Sequence, residues 1–93
     1  MSEMMRIVRE KIEGIDSGKY RIDGFPGSTT VTYTVGFALD QFEKIGSERT
    51  AQDAFDSLDR EQIEIVQSIR GERCLPPIQY RQNHDRHSFG VHL

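Results

Sequence analysis

All three histidines of the chain, His84, His87 and His92, fall within its last ten residues. Imidazole changes charge near neutral pH, so this segment is where proton transfer or metal ligation is sought first. The pattern predicts strands at 78–82 and 87–93 around a turn at 83–86. Period-two alternation then sets His87 with Phe89, Val91 and Leu93 at the apolar face, and His92 on the other face with Gln79, Arg81 and Ser88. His84 sits in the turn. Rings so dispersed do not converge at the roughly 2.0–2.3 Å that a zinc ion requires, and Cys74 is too far upstream to complete a ligand set. No metal and no cofactor are expected.

The polar face of this hairpin suggests one alternative reading. Arg81 and His92, with Gln79 and Ser88, can hold a phosphate and move a proton, as a metal-independent, toxin-like ribonuclease requires. Such cleavage needs an acid and a base, and that face supplies one imidazole, so Glu72 or His84 would have to approach it. A second alternative keeps phosphate contact without cleavage, through Arg70, Arg73, Arg81, Arg86 and His92. Glycine spacings match neither a dinucleotide fold nor a P-loop, and no Gly-x-Ser-x-Gly elbow is present.

Carboxylates are the other concentrated group. Residues 40–64 carry eight acids against Lys44, Arg49 and Arg60, and the best-placed of them are Asp53, Asp56, Asp59, Glu61 and Glu64. Helical spacing spreads them over solvent-facing surfaces instead of pairing them for catalysis. An acidic strip of this kind suits a basic protein surface. Net charge is −5 over residues 1–69 and +2 over residues 70–93, so phosphate could meet only the C-terminal end.

A chain of 93 residues, 35% hydrophobic and 29% charged, is expected to fold as a single domain, 1–93. Cys74 alone excludes an intrachain disulfide framework. The start lacks an apolar leader run, and no stretch reaches the roughly 20 apolar residues of a membrane span. A cytoplasmic protein is expected.

Met1, Met5, Val8, Ile12 and Ile15 draw one stripe on a helix over 2–13, with Gly14 as its stop and Arg6–Glu10 and Arg9–Glu13 as surface pairs. Residues 19–23 read as a short strand, and 24–27 as a turn. Residues 29–37 read as the clearest strand, with Val31, Tyr33, Val35 and Phe37 on one face and threonines on the other. Residues 38–45 have helical spacing up to Gly46. Thr50 and Asp59 are caps for two further helices, divided near 57–59, and Gly71 is expected to end the second.

The resulting expectation is an α+β fold of order α-β-β-α-α-β-β, an antiparallel sheet of two hairpins with helices on one face. Its expected role is a non-enzymatic interaction module, an inhibitor, adaptor or regulatory subunit of the kind carried by phages and mobile elements. Its partner is expected to be a protein, with no membrane involved. A homodimer through the hairpin edges or the Met1–Ile15 stripe is a further expectation.

Overall fold

The computed structural model describes residues 2–79. Within them lie α1 (Glu3–Asp16), α2 (Thr29–Ala38), a 3₁₀ turn at Phe42–Lys44, α3 (Ala51–Asp56) and α4 (Arg60–Glu72). No strand occurs among the described residues, which overturns the α+β fold with its two hairpins. Residues 19–23 form bends and turns, and residues 78 and 79 have no regular structure. The remainder of the second expected hairpin lies outside the described residues.

The main correction is α2. Its alternating apolar residues resolve into two helical pairs, 31/35 and 33/37, each one turn apart. Val31 and Val35, followed by Ala38 and Leu39, pack with Val8 and Ile12 of α1 and Ile65 and Ile69 of α4. Tyr33 and Phe37 pack with Ala54, Phe55, Leu58 and Val66 in a second cluster. A helix with apolar residues on both flanks belongs in the interior, and α2 is the central element between these clusters. β-Branched propensity loses to tertiary burial here.

Thr32 and Thr34 fit this helix because their hydroxyls bond back to carbonyls one turn earlier. Thr32 Oγ1 donates to Ser28 O at 3.0 Å, and Thr34 Oγ1 donates to Thr30 O at 2.6 Å, so even the fully buried Thr34 is satisfied. Ser28 caps the start by accepting from Val31 N at 3.3 Å. Gly36 lets the 3₁₀ turn close onto α2, since a Cβ there would stand 3.3 Å from both Phe42 Cα and Ile45 Cγ2. Phe42 then stacks on Phe37 at 4.7 Å, and Phe55 meets Phe37 edge-on at 5.4 Å.

Asp40, with φ +58°, turns the chain away from α2 in the left-handed conformation usually left to glycine. Asp40 N donates to Phe37 O at 3.2 Å and Gln41 N to Gly36 O at 2.8 Å. The buried Arg70 of α4 closes the same end: Nη1 donates to Phe37 O at 2.7 Å and to Asp40 Oδ1 at 3.2 Å. Its Nε donates to Pro76 O at 2.7 Å. One guanidinium thus joins α2, α4 and the chain that follows α4, with a cation at the negative end of a helix.

Two expected glycine stops also have other roles. α1 runs through Gly14 to Asp16, and Gly14 is buried because the Tyr20 ring lies against it where a Cβ would be. The left-handed turn falls at Gly18, φ +85°. Gly71 lies inside α4, whose left-handed residue is Cys74, φ +61°. The α1 stripe is spent internally: Val8 and Ile12 are buried, and Met4, Met5, Ile7 and Ile15 pack against the same cluster.

Replacing Arg70 with Ala is expected to lower unfolding free energy by about 3 kcal/mol in urea titration, with little recovery in Arg70→Lys, because an ammonium does not reproduce the planar fork. Variants unfolding at the wild-type midpoint would show that this junction carries no stability. Gly36→Leu is expected to cost about 1–3 kcal/mol by overpacking against Phe42 and Ile45, read as a lowered thermal midpoint.

Candidate functional site

The acidic strip is built on two capped helices, α3 and the start of α4. Thr50 starts α3 by accepting from Asp53 N at 3.2 Å. The chain then breaks as its cap residues indicate. Asp59 Oδ1 accepts from Gln62 N at 2.8 Å, and Gln62 Oε1 accepts from Asp59 N at 2.9 Å, a complete capping box. Phe55 and Leu58 are buried beneath this corner and fix it to the core.

The five carboxylates named from sequence differ in availability. Asp59 is committed to the cap of α4. Asp56 is half-buried and accepts from Gln52 Nε2 at 3.1 Å. Glu64 is exposed and stands 3.7 Å from Arg60, an i,i+4 pair between largely exposed side chains that contributes little. Asp53 and Glu61 are exposed, with no cationic partner among the described residues. Three of the five, Asp53, Glu61 and Glu64, therefore present charge to solvent.

Of the basic residues named from sequence, the two described ones, Arg70 and Arg73, are both engaged within the protein. Arg70 is buried at the end of α2, and Arg73 pairs with Asp16 at 3.1 Å. Arg81, Arg86 and His92 lie outside the described residues, as do His84 and His87. Cys74 is a free, exposed thiol. Among the described residues, no group of three or more His, Cys, Asp or Glu side chains is arranged to hold a metal ion, and no helix is long and apolar enough to cross a membrane.

An open groove of about 490 Å³ between α1 and α4 has no counterpart in the sequence-based expectations. Its floor includes Ile12 and Ile69, and two ion pairs span it. Arg9 donates to both Glu72 oxygens, at 2.9 and 2.6 Å, and Arg73 to both Asp16 oxygens, at 3.1 and 3.3 Å. Spacing within α1 suggested Arg9–Glu13 and Arg6–Glu10 instead, but Arg9 reaches across to α4 and Arg6 pairs with Glu3. Only the packing of α1 beside α4 could have revealed this. Both arginines of the groove are taken up by carboxylates of the facing helix, so the pairs serve as braces between helices.

Comparison with protein-family models, curated proteins and solved structures finds no match.

The bidentate bond from Arg9 holds the Glu72 carboxyl below its ordinary pKa, with partial desolvation opposing it and the Arg9 charge assisting it. Arg9 is correspondingly pushed up. Because the folded-state pKa is depressed, the stability this contact adds is present above the unfolded carboxyl's pKa. It is lost as pH falls through the lowered value. NMR titration of the Glu72 side-chain carbon is expected to show a midpoint below that of an ordinary glutamate, returning to it in Arg9→Ala. Identical midpoints in the two proteins would contradict the bridge.

Proposed function

We propose that the protein is a non-enzymatic interaction module that presents the acidic face of α3 and the first turns of α4 to a basic protein surface. The observation that carries this reading is the exposure of Asp53, Glu61 and Glu64 on helices fixed by the Asp59–Gln62 box and by buried Phe55 and Leu58. Charges held on a rigid frame keep their mutual geometry when a partner approaches, so little ordering cost opposes docking. Their field steers a cationic partner and raises its rate of association.

The burial of Arg70 and the pairing of Arg73 leave those two cations poorly placed to hold phosphate, which favours a protein partner over nucleic acid. The free, exposed thiol of Cys74 suits a reducing, cytoplasmic setting.

The test is charge reversal at Asp53→Lys, Glu61→Lys and Glu64→Lys together, leaving Asp59 in place so that α4 keeps its cap. Proteins retained from native lysate by the immobilised wild-type chain are compared with those retained by the triple variant, with helicity checked by circular dichroism. A specific partner is expected to associate roughly tenfold or more slowly with the variant, and the wild-type interaction is expected to weaken at high salt. Equal, salt-insensitive retention by both chains would refute the acidic face as the contact.

A further inference from the structure

The segment after α4 lies along that helix as an extended strap, and α4 holds it by its backbone. Gln67 Nε2 donates to Ile78 O at 3.1 Å, and Gln67 Oε1 accepts from Ile78 N at 3.0 Å, the two-bond pattern that a neighbouring strand would offer. One turn along α4, Arg70 donates to Pro76 O at 2.7 Å. The Ile78 side chain packs against the cluster that contains Phe37 and Val66. Pro76 and Pro77 stiffen the strap, so it docks and leaves as a unit.

The turn that launches the strap is closed by Cys74 N to Gly71 O at 3.1 Å and Leu75 N to Arg70 O at 2.8 Å. It places Cys74 at φ +61°, where a residue bearing a Cβ is disfavoured relative to glycine. A covalent hinge under local strain therefore joins α4 to a stiff segment whose docking bonds are made through main-chain atoms.

We propose that this strap exchanges between two copies of the chain. Residues 75–79 of one copy dock on Gln67 and Arg70 of the other, and reciprocally, with Cys74 as the hinge. Every docking bond is reproduced in the exchanged pair, so the balance between monomer and dimer rests on the hinge and on concentration. In each copy, opening the hinge relieves the left-handed backbone and releases the two bonds that close the turn, so the backbone strain at Cys74 sets how readily it opens. The proposal uses none of the acidic residues and stands or falls without them.

The experiment is sedimentation velocity on the full chain, under reducing conditions, over a range of concentrations. A slowly formed, concentration-dependent dimer is expected. Cys74→Gly is expected to fold at least as stably as wild type yet to lower the association constant by roughly twenty-five-fold, from two hinges at about fivefold each. Cys74→Ser keeps the strained backbone, lacks the thiol and is expected to match wild type. Gln67→Ala weakens the same clamp in monomer and dimer, so exchange is expected to accelerate at an unchanged equilibrium.

In a Cys74→Ser background, a chain with Gln67→Cys is also mixed with a chain with Ile78→Cys, concentrated under reductant, and then oxidised. A disulfide between chains is the expected result. A monomer at every concentration overturns the proposal, as does a dimer indifferent to Cys74→Gly with no disulfide between residues 67 and 78.

Discussion

Burial of α2 on both flanks is the constraint from which the rest of the structure follows. A segment placed between two apolar clusters must satisfy its own backbone, because its buried stretch, residues 33–38, is shielded from water. A helix does this internally. A strand would need partners on its edges, and the chain supplies helices there instead. Once α2 is central, α1 and α4 cover its Val31/Val35 flank, and α3 with the 3₁₀ turn covers its Tyr33/Phe37 flank. Gly36 then admits the close approach of Phe42. Arg70 draws the end of α2, the chain after α4 and Asp40 to one point.

Part of this arrangement was legible in the residues. The stripe of α1 and the paired caps at Thr50 and Asp59 act locally, through i,i+3 and i,i+4 relations, and the structure retains them. α2 reads as a strand in sequence because alternation over a few residues and two overlapping helical pairs produce the same string. Ser28, a cap residue directly before Thr29, was the signal that could have separated them. Glycine is not reliable punctuation in this chain. Gly14 and Gly71 lie within helices, while two left-handed helix ends fall on Asp40 and Cys74. Their positions are imposed by packing and by Arg70, neither of which a short window contains.

The site shows the same division between local and long-range information. Exposure of Asp53, Glu61 and Glu64 follows from helical phase, which sequence spacing conveys. The fates of Arg9, Arg70 and Arg73 depend on partners 63, 30 and 57 positions away, which spacing does not convey. Arg70 and Arg73 are thereby drawn inward or into a bridge, while Asp53, Glu61 and Glu64 stay at the surface. This difference between the groups is a consequence of how the helices pack.

The most direct test of this account is the conformation of residues 29–38 in solution, read from NMR backbone shifts and side-chain contacts. Helical carbon shifts throughout are predicted, with Val31 and Val35 close to Val8 and Ile65, and Tyr33 and Phe37 close to Phe55 and Leu58. Extended shifts, with all four side chains contacting one common set of residues, would contradict it.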